Sequence, residues 1–82
     1  MTKCTVLLFA RYAELAGAPS LEVEVPEGAT LGDLWDRVRK MVPALRDETR
    51  PLLACDRAYA RPDTAIPVGG GEIAAFPPVS GG

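Results

Sequence analysis

The sequence has no histidine. That absence removes the commonest general base, the commonest metal ligand and the usual partner of a nucleophilic serine or cysteine. No metal-binding residues are expected. The two cysteines, Cys4 and Cys55, could form at most one bridge, and reduced thiols are expected in a cytoplasmic setting. No apolar run approaches the ~20 residues of a membrane span. The 9 basic side chains are outnumbered by 11 acidic ones and lie scattered, so the clustered positive surface of a nucleic-acid binder is missing. Met1-Thr2-Lys3 leads straight into strand-like residues, without the apolar stretch and small-residue cleavage site of a signal peptide, so a cytoplasmic location is expected. There is no Gly-x-x-x-x-Gly-Lys-Ser/Thr run for nucleotide phosphates. Gly69-Gly70-Gly71 precedes a strand instead of opening a helix. At 82 residues the chain is one small domain, burying roughly 60% of its unfolded surface. It has little room for both a core and a deep active site.

What is present is a regular alternation of elements. Thr5 to Ala10 is apolar and reads as a strand buried on both faces. Arg11 to Ala16 can form a short helix, with Gly17 placed for a left-handed cap. Leu21 to Val25 alternates as a half-buried strand does. Thr30 and Asp33 have the spacing of a capping box. After them Leu31, Leu34, Trp35, Val38, Met41 and Val42 form one helical stripe. Asp33–Arg37 and Asp36–Lys40 are candidate ion pairs on its polar face, and Pro43 stops the helix near Val42. Short strands are expected at Leu52 to Cys55, at 57–60 and at Glu72 to Phe76, with a loose glycine turn before the last. The fold class is α+β: a mixed sheet covered by one main helix, with a short helix after the first strand.

The end of the chain is the candidate working part. The reading divides it into a domain over 1–76 and an extended tail over 77–82. Pro77-Pro78 ends the last strand and favours an extended path. The six residues from Pro77 to Gly82 could reach roughly 20 Å. Gly81 and Gly82 have no Cβ and can enter a narrow channel. This suits a terminal carboxylate presented inside another protein's active site. A carboxylate is a poor electrophile, and the chain has no apparatus to activate it. A partner must do so, which makes the chain a group carrier. Phe76 adjoins the tail and is either core or a partner anchor; Phe9 is equally ambiguous, and Trp35 is core. Cys4 and Cys55 sit in apolar, strand-like surroundings where a thiol is inert.

Three stretches carry a resemblance: Leu8-Phe9-Ala10-Arg11-Tyr12-Ala13-Glu14-Leu15-Ala16-Gly17, Thr30-Leu31-Gly32-Asp33-Leu34, and above all Gly70 to Gly82 with its Phe-Pro-Pro-Val-Ser-Gly-Gly ending. Over essentially its whole length the chain resembles the small subunit of molybdopterin synthase, one of the ubiquitin-like sulfur carriers. The resemblance implies a β-grasp fold and a sulfur carrier of molybdenum cofactor biosynthesis. It implies that an E1-like adenylating enzyme, using ATP and magnesium, activates Gly82, and that a sulfurtransferase system then leaves it as a thiocarboxylate. The carrier itself binds no cofactor. By the same carry-over, Phe76, Pro77, Pro78, Val79 and Ser80 lie along the large subunit, Gly81 threads its channel, and Gly82 passes sulfur to cyclic pyranopterin monophosphate. The implied assembly is a heterotetramer with two copies of each subunit, and neither nucleic acid nor membrane is a partner. The pattern is departed from in two places: in the turn, Gly69 and Gly71 stand where relatives carry acids, and in the first helix Ala13 stands where many carry Arg. The alternatives are a carrier for thiazole, cysteine or tRNA thiolation, and a ubiquitin-like modifier joined to lysines through Gly82.

Overall fold

The helical stripe becomes α2 (Leu31–Met41), and its start is set by side chains. The computed structural model describes residues 1–48, 50–67 and 69–78. In it the Asp33 N–H donates to Thr30 Oγ1 at 3.2 Å, and the Thr30 N–H donates to Asp33 Oδ2 at 3.0 Å. These two bonds satisfy backbone donors that the first helical turn leaves open. The Thr30 N–H, then its hydroxyl, hold the Asp33 carboxyl below the usual carboxylate range. Leu31, Leu34, Trp35 and Val38 are buried, whereas Met41 is exposed because the last turn runs past the core. The two ion pairs expected at four-residue spacing do not form. Asp33 is engaged in the cap, and Asp36 bonds Arg39 at 3.0 Å instead.

Thr30→Ala is expected to cost about 1 kcal/mol, read as a lower urea midpoint at neutral pH. A carboxyl whose folded pKa is depressed stabilises the fold above its unfolded value and ceases to do so as pH falls through the folded one. The difference between variant and wild type should therefore shrink as pH drops below about 4.

The sheet has five strands: β1 (Thr2–Leu8), β2 (Ser20–Val25), β3 (Leu52–Cys55), β4 (Ala58–Ala60) and β5 (Glu72–Phe76). Their spatial order is β2-β1-β5-β3-β4. The central β1–β5 pair is parallel, and every other pair is antiparallel. A short α1 (Arg11–Ala16) follows β1 and closes on Gly17 at φ 72°, the left-handed cap expected there. Strand β1 begins at Thr2, earlier than its apolar run, because antiparallel pairing with β2 continues to Thr2↔Val25.

Cys4, Val6 and Leu8 of β1, Val23 and Val25 of β2, Leu53 of β3, and Ile73 and Ala75 of β5 join the buried cluster that includes the apolar side of α2. Trp35 packs on Tyr12 with ring centroids 5.3 Å apart, so the core assignment of Trp35 holds. Pro43–Leu45 forms a 3₁₀ turn that no periodicity announces, and it buries Leu45 completely. A bidentate pair from Arg11 to Glu48, at 2.6 and 3.3 Å, ties α1 to the segment after that turn.

The reading of β1 as buried on both faces is overturned. Thr5 is exposed and Leu7 only half-buried. The single long helix covers one side of the sheet and leaves the other open.

Candidate docking face and tail root

The open side of the sheet has two halves, which follow from register. On the β2 side it is polar: Ser20, Glu22 and Glu24 stand beside Leu7, Thr5 and Lys3, and Lys3 pairs with Glu22 at 3.1 Å. Toward β5, β3 and β4 it is apolar. Leu7 pairs with Ala74, Ala74 with Ala54, and Ala54 with Tyr59, making one row across four strands. The next row pairs Phe76 with Leu52. Phe9 joins it by stacking on Phe76, with centroids 4.5 Å apart and planes 14° from parallel. Tyr59 meets the same Phe76 ring edge-on at 6.2 Å. Phe9 is 40% exposed, Leu52 44% and Tyr59 76%. Large apolar side chains gathered on one face at this exposure mark an interaction surface.

The chain bends sharply where this face meets α1. Ala10 takes φ 51° and ψ −125°, an unusual conformation for a residue with a Cβ. The bend turns the chain into α1 directly after Phe9, whose ring remains on the outer side against Phe76.

Of the tail residues singled out from the sequence, Phe76, Pro77 and Pro78 are described and half-buried. Phe76 is the centre of the aromatic group. Pro77-Pro78 leaves the sheet from the end of β5, at the edge of the apolar face. Val79, Ser80, Gly81 and Gly82 lie outside the described residues. Sequence reasoning flagged Phe9 without placing it and missed Leu7, Leu52 and Tyr59. Their only signal was a period of two, which is invisible when the inward positions are apolar as well.

The cysteines face the other way. Cys4 and Cys55 are both free. Cys4 is fully buried, and burial, reinforced by Cys55, pushes its thiol pKa up. Burial, then the Asp56 carboxylate, does the same to Cys55. They sit on β1 and β3 with β5 between them. Two strand spacings, about 9.6 Å, exceed the reach of a disulfide. Among the described residues no group of three or more Cys, Asp or Glu could hold a metal ion. No helix among them is long and apolar enough to cross a membrane.

A mixed five-stranded sheet wrapped on one long helix, with the last strand beside the first and running into a proline-stiffened segment, is the β-grasp of ubiquitin-like proteins. The crystal structure of small archaeal modifier protein 1 from Haloferax volcanii superposes with a TM-score of 0.86 at 31% identity, covering 96% of this chain and all of that one. The chain belongs to the ThiS family, which matches residues 6–82. It is 40% identical to the molybdopterin synthase sulfur carrier subunit of Arabidopsis thaliana, over 94% of this chain and 80% of that protein. It is 34% identical to the human protein of the same name, over 94% and 91% of the two chains.

Proposed function

We infer that this chain is the sulfur carrier subunit of a molybdopterin synthase, and that its tail delivers sulfur from Gly82. The observation that carries the reading is the continuity of an apolar, aromatic face with the root of a diglycine tail. A partner seated on Leu7, Phe9, Leu52, Tyr59 and Phe76 receives the Pro77-Pro78 segment along the same surface. The tail is thereby aimed into that partner, and Gly81 and Gly82 supply no side chain to obstruct a channel.

The chemistry divides between the proteins. An E1-like enzyme, with ATP and magnesium, lets a Gly82 carboxylate oxygen attack the α-phosphorus, and pyrophosphate leaves. A sulfurtransferase then supplies a sulfur nucleophile at the oxidation level of sulfide. It attacks the acyl carbon, and AMP leaves with the displaced oxygen. The thiocarboxylate that results is softer and more nucleophilic at sulfur than a carboxylate is at oxygen. In the large subunit the sulfur attacks a carbon of cyclic pyranopterin monophosphate and displaces an oxygen leaving group. Water then cleaves the acyl–sulfur bond, so the sulfur stays on the pterin and Gly82 returns as a carboxylate. Enclosure keeps stray water from the thiocarboxylate before it reacts. The carrier contributes binding and aim. Its own thiols, Cys4 fully buried and Cys55 half-buried, lie on the opposite side of the sheet and take no part.

Intact-mass analysis of untagged protein from its source tests this. The expected result is a fraction of the protein heavier by the replacement of one terminal oxygen by sulfur. A second reading, a ubiquitin-like modifier, is favoured by the likeness to small archaeal modifier protein 1. It predicts Gly82 joined to lysines of other proteins. Such adducts, with no thiocarboxylate found under any condition, would decide for it.

A further inference from the structure

The β3–β4 hairpin turns on Asp56 and Arg57, at φ 49° and 72°. Two successive left-handed residues are the pattern of a type I′ turn, for which Asn-Gly and Asp-Gly are preferred. Asp56 suits its place. Its Oδ1 accepts from the Glu72 N–H at 3.3 Å, and its own N–H donates to the Glu72 carbonyl at 3.0 Å. Arg57 does not suit its place, because a Cβ is disfavoured in this conformation and glycine is not. No side-chain contact among the described residues offsets the strain. The Arg57 side chain is exposed and makes no hydrogen bond or ion pair among the described residues. What distinguishes Arg57 is position. It is the one cation lining the outer-face groove formed with Leu7, Phe9, Ala54, Tyr59 and Phe76. Backbone strain kept without a local purpose points to a purpose outside the chain.

We propose that Arg57 is a specificity anchor, pairing with an acidic side chain on the large-subunit surface that covers this apolar face. The proposal rests on the carrier reading given above. A guanidinium presents a planar fork that matches a carboxylate, and the aromatic surroundings exclude water from the pair once the face is covered. The pair also sets direction. Strand β3 runs antiparallel to β5, so the hairpin lies at the start of β5 and the tail leaves from its end. An apolar patch alone would allow the sheet to lie on its partner either way round. A charge at the end away from the tail selects the orientation that delivers Gly82. Glu72 lines the same groove but sits in ordinary strand geometry; it disfavours an acid placed on its own side and so confines the partner's carboxylate to the hairpin.

The test is titration of the untagged full chain with its large subunit, together with thermal melts of the carrier alone. Arg57→Gly relieves the turn and should raise Tm by roughly 5 °C. It should also weaken binding about tenfold and flatten the dependence of binding on salt. Arg57→Glu should weaken binding further, roughly a hundredfold, and Arg57→Lys should fall between wild type and Arg57→Gly. Greater stability with poorer binding is a combination that a merely structural residue does not give. If Arg57→Gly binds as tightly as wild type while Phe9→Ser loses affinity, the anchor is wrong and the docking face stands. If the wild-type chain binds no large subunit, the carrier reading and the anchor fall together.

Discussion

A chain that lacks Gly82, or that carries even one extra residue beyond it, should give no sulfur transfer while melting within about 1 °C of the unaltered protein. The expectation separates two parts of the molecule. The buried cluster is drawn from β1, β2, β3, β5, both helices and the neighbouring turns, and ends in sequence at Ala75. Changes at Gly82 remove nothing from that cluster, so stability is set elsewhere. On the proposed mechanism transfer, in contrast, depends on one acyl carbon carried at a fixed chain length beyond the apolar face. Extension converts the terminal carboxylate into an amide, which a nucleotide-activating enzyme cannot adenylate. Deletion leaves a carboxylate on Gly81, set back by about 3.5 Å along an extended chain. A displacement of even 1 Å in a positioned reactant is enough to cost about a hundredfold in rate. The measurement is product formation with purified activating enzyme, sulfur source and large subunit, alongside a melt of each variant. A tailed variant that transfers sulfur with its extension intact would sink the proposed role of Gly82.

The same separation explains what the sequence disclosed. The α2 stripe and its cap were legible because a helix announces itself twice, by period and by the Thr30–Asp33 pair. The end of the last strand was legible because Pro77-Pro78 stops a ladder by residue type alone, and β5 does end at Phe76; Gly81 and Gly82 lie outside the described residues. The docking face was not. Leu7, Leu52 and Phe76 are apolar like their inward neighbours Val6, Leu53 and Ala75, so no alternation betrays the open side. Only pairing between strands far apart in sequence brings Phe9, Leu52, Tyr59 and Phe76 together. Phe9 and Phe76 are separated by most of the chain yet stack at 4.5 Å. Arg57 was hidden for a different reason. Its meaning lies in a backbone angle that its residue type argues against. The 3₁₀ turn at Pro43–Leu45 was missed because three residues are too few to show a period.

The glycine run before β5 shows the largest gap between composition and structure, and it gives a second strong expectation. Gly69-Gly70-Gly71 reads as a loose turn, yet Gly70 is buried and its N–H donates to the Pro67 carbonyl at 2.9 Å. Its φ is +96°, and a Cβ placed there would lie 2.2 Å from the Lys3 carbonyl oxygen and 3.1 Å from the carbon that bears it. Neither atom can swing aside, because Lys3 is held in β1 against Glu24 of β2. Gly70→Ala must therefore separate the turn from β1. Conformational strain and overpacking together should cost about 3 kcal/mol, or roughly 15 °C in Tm for a domain of this size. Gly69 is the control. It shares the left-handed conformation at φ +91°, but a Cβ there meets nothing within 4 Å, so Gly69→Ala should cost only about 1 kcal/mol. The contrast bears on function as well. The parallel pairing of β1 with β5 begins immediately after this turn, at Thr5↔Glu72, and fixes which residues of the two strands stand side by side on the open face. If the turn is displaced from β1, Leu7 no longer sits squarely beside Ala74, nor Phe9 over Phe76. Partner binding by Gly70→Ala should then be weaker than wild type even at a temperature where both are fully folded, whereas Gly69→Ala should bind normally. Equal melting losses for the two variants would mean that the close approach to Lys3 does not constrain the fold.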